Sequence, residues 1–340
     1  MTAATATQVT PERIMQFAWG YAPPLILEAA IRHRIFDLLD SEGPKSVEEL
    51  QAATGASARG ISAIANVLVG LDFLSKDGSG RYSLTPESAA FLVRSKPSFM
   101  GGLILHTSGQ ILPKWLKLNE VVESGKPAAA VNKEDEGGAF FEQFVVDIFP
   151  MSYPSAKVLA ASFDFSSATD PVSVLDLAAG SGVWGIALAQ SSPQVRVTAV
   201  DWPAVLPTTQ KTVARFGFTD RFTFSPGDLL EADFGSGHQI ATLGHILHSE
   251  GEERSRALLA KTYESLASRG TIAIAEFLVN KDRTGPPNAL TFAVNMLVNT
   301  DVGGTYSFEE ISEWLAAAGF VNARQFDSPG PSPLILATKP

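Results

Sequence analysis

The chain has 340 residues, 45% hydrophobic and 18% charged, enough for two domains with real cores. A formal net charge of -10 argues against general affinity for nucleic acid or anionic membranes, and the absence of cysteine excludes disulfides, thiolate metal sites and a cysteine nucleophile. Residues 1–10 lack a basic start before an apolar core, and no run of 18 apolar residues follows, so the expectation is a cytoplasmic protein with no secretory signal and no membrane span.

Residues 24–39 carry Leu25, Leu27, Ala30, Ile31, Ile35, Phe36 and Leu39 at near-helical spacing. Ser46 opens S-V-E-E, a capping box with Glu49, which predicts a helix over 47–53 that ends near Gly55. A further helix over 57–71 repeats Ile61, Ile64, Val67, Leu68 and Leu71. Residues 73–75 and 81–84 flank the turn K-D-G-S-G and read as a β-hairpin. Helices followed by a hairpin give the order of a winged helix over about 20–95. Residues 1–100 hold nine Lys and Arg against ten Asp and Glu, and Arg59 is the one cation in the would-be recognition helix. Phosphate contacts need several cations, so this helix is expected to pack within the protein. A winged-helix regulator that senses a ligand is the rival reading from another class.

Residues 97–165 read as a helical linker, with an exposed loop over 125–138. Phe140, Phe141, Phe144 and Phe149 follow, as core or as a wall of a pocket for an aromatic substrate. From Pro171 the pattern changes. Strands are predicted over 172–177, 195–200, 222–224, 239–243, 271–276 and 334–338, with helical patterns between most of them. This alternation implies a Rossmann-like α/β domain, a mostly parallel sheet covered on both faces. The domain boundary is placed at 165/166, giving domains 1–165 and 166–340.

The first strand of that sheet leads into V-L-D-L-A-A-G-S-G-V-W-G. Gly180, Ser181 and Gly182 form a turn whose bare backbone lets a ligand approach closely. Asp176, four residues earlier, is placed to act on an amino group. Asp201, followed by Trp202, ends the second strand, where a carboxylate accepts from ribose hydroxyls. A diphosphate would be repelled by Asp176, so the pattern fits S-adenosyl-L-methionine better than NAD. Gly227, Asp228 and Leu229 follow the third strand, with the acid suited to an adenine amino group and the leucine to its face. H-I-L-H-S-E-G-E-E comes after the fourth strand. His248 is the candidate general base there, because imidazole as a residue type titrates near neutrality. Glu276, in A-I-A-E-F, is positioned to orient it. The alternative for His248 is a helix cap or a backbone bond, and His245 reads as core or ligand-adjacent. The five histidines fit no metal-ligand spacing, so no metal is expected.

Taken in order, V-L-D-L-A-A-G-S-G, V-D-W-P, G-D-L-L, L-H-S-E-G-E-E, A-E-F and A-A-G-F, behind a winged-helix start, resemble the two-domain S-adenosylmethionine-dependent O-methyltransferases. These include the caffeate type, the hydroxyindole type and bacterial relatives acting on polyketides. The likeness covers roughly residues 20–340. It implies a class I methyltransferase sheet, a homodimer formed through the N-terminal domain, and a small hydroxylated aromatic acceptor from secondary metabolism. His248 matches the family's histidine base in L-H-D-W, with Ser249 and Glu250 in place of Asp-Trp. Glu276 matches the first of two supporting glutamates. The second is absent from Gly303-Gly304-Thr305-Tyr306-Ser307, and Gly244 stands where a basic residue is common. Phe292, Asn295, Met296 and Asn299 fall where the family lines its acceptor pocket. Carbon methylation and a non-methylating use of the cofactor remain open as alternatives.

Overall fold

Apolar residues in this sequence build three separate cores, one in the first unit and one on each face of the sheet in the second. The computed structural model describes residues 9–166, 168–330 and 332–340, apart from the side chains of residues 134–136, 139 and 143. It divides into one compact unit ending at Gly109 and a second, Gln110–Pro340.

In the first unit the predicted capping box forms. Ser46 N donates to Glu49 Oε2 at 2.7 Å and Ser46 Oγ accepts from Glu49 N at 3.3 Å, starting the helix Val47–Thr54. Gly55, with φ of 70°, closes it in the left-handed conformation that glycine adopts without strain. The apolar spacing over 24–39 is carried by two helices, Ala22–Arg32 and Ile35–Glu42, broken at Arg34 with φ of 57°. Both halves feed one core with Ala58–Gly70 and the hairpin of β1 (Leu74–Lys76) and β2 (Tyr82–Leu84), so the spacing runs across the break. The helix Glu12–Ala18 buries none of its residues and leaves Ile14, Met15 and Phe17 exposed, with Trp19 and Tyr21 just beyond.

The second unit begins well before the predicted boundary at 165/166. Ala156, Leu159 and Ala160 of the helix Phe149–Ala161 share a core with Val174, Ile186 and Leu188, so this helix belongs to the sheet's own layer. The loop expected over 125–138 is also shorter and less exposed. Ala128 N and Val131 N donate to Val298 O and Asn299 O, Ala130 and Val131 are buried, and a helix starts at Glu134.

The sheet has seven strands. They are β3 (Val172–Leu177), β4 (Val195–Asp201), β5 (Phe222–Pro226), β6 (His238–Gly244), β7 (Leu266–Ala275), β8 (Val321–Phe326) and β9 (Leu334–Thr338). Their order is β5-β4-β3-β6-β7-β9-β8. The first five are parallel, and β9 lies antiparallel between β7 and β8. β8 was not predicted. Its sequence V-N-A-R-Q-F is mostly polar and mostly exposed, as an edge strand permits. One core lies under Val174, Val197 and Ile240, and the other under Leu175, Val200 and Ala241, the two faces of alternating strands.

Candidate active site

The order of strands reverses beside β3, and the parallel strands all point their carboxyl ends to one edge. That edge is where an open α/β sheet binds its ligand. The turn after β3 takes unusual backbone angles in quick succession, with φ of 50° at Ala178, 54° at Gly180 and 76° at Gly182. Thr209 Oγ1 donates to Gly180 O at 2.6 Å and holds the turn down from below. Ser181 sits buried at its centre.

Asp176 is not free to meet a ligand. It is fully buried; its Oδ1 accepts from Thr242 Oγ1 at 2.6 Å and its Oδ2 from Gly185 N at 3.0 Å. Thr242 is its register partner on β6, so the two strands impose the contact. Burial pushes this carboxyl up to about 7, against the two hydrogen bonds that favour the charged form. The expected direct contact with a ligand amino group is therefore corrected. Asp176 anchors the glycine turn to the next helix.

Asp201 is the second candidate carboxylate. It ends β4, is half-buried, and accepts from Gly180 N through Oδ2 and from Trp202 N through Oδ1, both at 2.7 Å. The Trp202 ring meets Phe141 edge-on at 5.8 Å, and Phe141 packs with Phe140 and Phe144. These three phenylalanines thus form an aromatic group beside the β4 end, while Phe149 belongs to the core. Gly227, at φ of 146°, lets the chain turn into Asp228. Asp228 is held by Arg254, whose Nη2 lies 3.0 and 2.7 Å from its two oxygens. Leu229 does not offer an apolar face to a ligand, because it is buried in the core with Val200 and Leu243. A bare turn with two carboxylates at successive strand ends fits a nucleoside bearing hydroxyl and amino donors.

His248, in the first turn of the helix after β6, meets Glu276, the residue that follows β7. His248 Nδ1 is 2.8 Å from Glu276 Oε2, and His248 N donates to Glu276 Oε1 at 3.2 Å. Burial would raise the Glu276 carboxyl, but His248, through charge and hydrogen bonds, holds it below the usual value. The ionised carboxylate places the histidine proton on Nδ1 and leaves Nε2 as the basic nitrogen. From the far side, Gly304 N donates to His248 O at 2.8 Å. A side chain at Gly303 would collide with that same carbonyl, so the Gly303-Gly304 pair braces the histidine backbone where no second glutamate is present. His245 points away, to Ser332 Oγ at 2.8 Å, and burial takes it down to about 4.

Phe292 meets the His248 ring edge-on at 4.9 Å and stacks on Phe277 at 4.0 Å. The structure thus brings Phe292 to the histidine. Met296 and Asn299 are buried, and Asn295 Oδ1 is engaged by Trp115 Nε1 at 2.9 Å and Asn299 Nδ2 at 3.1 Å. Sequence reasoning gave no role to Phe277, Trp115, Trp184, Glu250 or Arg254. Phe277 adjoins Glu276, and adjacency was the available signal. The Trp184 indole lies against Gly244, in the space a side chain there would take.

A family profile described as an O-methyltransferase domain matches residues 128–321, and one described as an O-methyltransferase dimerisation domain matches residues 15–94. The 3-hydroxy-5-methyl-1-naphthoate 3-O-methyltransferase of Streptomyces sahachiroi is 31% identical, over 97% of this chain and 95% of its own. The tetracenomycin polyketide synthesis 8-O-methyl transferase of Streptomyces glaucescens is 26% identical, over 97% of each. A solved structure from Nostoc punctiforme, described as an O-methyltransferase, matches with TM-score 0.88 and 28% identity, over 98% of this chain and 100% of that one. Human N-acetylserotonin methyltransferase in complex with SAM matches in fold, with TM-score 0.84 and 23% identity over 99% of each chain. On the profile match and the site geometry together, the chain belongs to the S-adenosylmethionine-dependent O-methyltransferases, with a dimerisation domain ahead of the O-methyltransferase domain.

Proposed function

We propose that this enzyme methylates a hydroxyl of a small aromatic acceptor, with His248 as general base. The observation that carries the reading is the His248–Glu276 pair at 2.8 Å, under the stacked rings of Phe292 and Phe277. S-adenosyl-L-methionine, when bound, supplies a methyl on a sulfonium, open to direct displacement. Asp201 accepts from the ribose hydroxyls, Asp228 accepts from the adenine amino group, and the Gly180–Gly182 turn admits the amino-acid end. Trp202 and Gly227 complete the wall. His248 Nε2 takes the proton of the acceptor hydroxyl, and the Glu276 carboxylate stabilises the imidazolium that forms. Phe292 and Phe277 offer a flat apolar surface to a ring. The naphthoate and tetracenomycin enzymes among the relatives support an aromatic, polyketide-derived acceptor, with a place in secondary metabolism.

The first unit acts as a winged-helix dimerisation domain and forms a homodimer. Its exposed Ile14, Phe17 and Trp19 support this, as does the dimerisation profile over 15–94.

The test of the base is His248→Ala, assayed with a hydroxynaphthoate acceptor. Turnover is expected to fall ~100- to 10,000-fold. Calorimetry should show an unchanged Kd for S-adenosyl-L-homocysteine. Unchanged turnover would show that His248 is not the base. No heat with S-adenosyl-L-homocysteine in the parent protein would remove the cofactor site itself.

A further inference from the structure

Glu250 is a buried acid two residues after His248, and it is 6% exposed. A carboxylate so placed needs a partner, and Arg254 provides one, with Nε 2.6 Å from Glu250 Oε2. The two residues are four apart, but the helix Leu247–Ser265 that carries them is broken between them at Gly251, where φ is 76° and ψ is 170°. A side chain at Gly251 would press on Val302, so the break lies against the neighbouring loop. Beyond it the guanidinium reaches a second carboxylate. Arg254 Nη2 sits across both oxygens of Asp228, at 3.0 and 2.7 Å, and Leu230 N donates to Asp228 Oδ1 at 2.9 Å.

Neutralising Glu250 requires only the Nε arm. The second arm does something else: it fixes the plane of the Asp228 carboxylate from one side, and Oδ2 keeps a lone pair for another donor, while Oδ1 already accepts from both Arg254 Nη2 and Leu230 N. The geometry points to Arg254 as a positioning residue that sets Asp228 to read the 6-amino group of the cofactor's purine, with Glu250 holding the arginine in place. This rests on the reading of Asp228 as the adenine contact. Its consequence is specificity. Turned toward the purine, a fixed acceptor takes a hydrogen bond from an amino group and opposes a carbonyl oxygen. The site therefore prefers adenosyl over inosyl ligands.

The experiment is calorimetry on the full chain with S-adenosyl-L-homocysteine and S-inosyl-L-homocysteine, for the parent, Asp228→Asn, Arg254→Gln and Glu250→Gln. The parent should prefer the adenosyl ligand by about tenfold or more. Asp228→Asn should abolish the preference. Arg254→Gln should reduce it at least about threefold, and Glu250→Gln should reduce it less. Equal weakening of both ligands in Arg254→Gln, with Asp228→Asn still abolishing the preference, would overturn the role of Arg254 and leave the Asp228 reading standing. An unchanged preference in Asp228→Asn would overturn both. If Arg254→Gln does not fold, Glu250→Gln decides: a preference equal to the parent's there overturns the proposal.

Discussion

Asp176 and His245 are both buried, and burial moves them in opposite directions. Asp176 rises from 3.8 to about 7, so its folded state holds a proton that the unfolded chain releases. The stability it contributes is complete below pH 3.8 and is lost as the pH rises through 7. His245 falls from 6.5 to about 4; its contribution is complete above 6.5 and is lost as the pH falls toward 4. The two trends oppose each other between those values. Asp176→Asn keeps an acceptor for Gly185 N and an amide for Thr242 Oγ1, and it removes one trend. Urea unfolding from pH 4 to 7 should show the parent losing stability relative to this variant as the pH rises. A constant difference across that range would show that Asp176 ionises in the fold as it does outside it. Its place at a strand end was legible from its spacing to Gly180. Its direction was not, because the partner that claims it, Thr242, lies 66 residues away and becomes a neighbour through strand register.

Elements with a strong local signature came out of the sequence nearly as they stand. The Ser46–Glu49 box and the apolar strands β3 and β9 are examples. β8 was missed because an exposed edge strand carries no apolar alternation. The start of the helix at Glu134 was read as loop because its first turn is E-D-E-G-G. The first helix after the glycine turn, Val183–Ser191, is packed against the sheet through Gly185. A Cβ there would come within 2.8 Å of Val197 Cγ1 and 3.1 Å of Phe222. Gly185→Ala is thus expected to destabilise the fold by about 1–3 kcal/mol in urea unfolding. An unchanged midpoint would mean that helix and strand part easily. The meeting of His248 with Glu276 was legible because the carboxyl ends of β6 and β7 lie side by side in a parallel sheet. Arg254 was not, since its meeting with Asp228 depends on the break at Gly251.

For the molecule as a whole, the division into two units was legible, but its position was not. The helix Phe149–Ala161 already packs Ala156, Leu159 and Ala160 into the sheet's core, and no change in composition marks where the first unit's core gives way to the second's. Exposed aromatics on and just beyond the first helix lead to a prediction at this scale. Phe17→Ser with Trp19→Ser should weaken self-association roughly tenfold or more by sedimentation. A parent that sediments as a monomer at micromolar concentration would refute the homodimer. The strand order has one further effect. β9, buried along nearly its whole length, is the last strand in the chain and fills the gap between β7 and β8. On a ribosome that adds residues in sequence, the apolar flank of β7 emerges long before the strand that covers it. For that interval the nascent chain carries an open, sticky edge. Slow translation or early release between residues 275 and 334 should therefore favour aggregates, and holdase chaperones should matter most in that stretch.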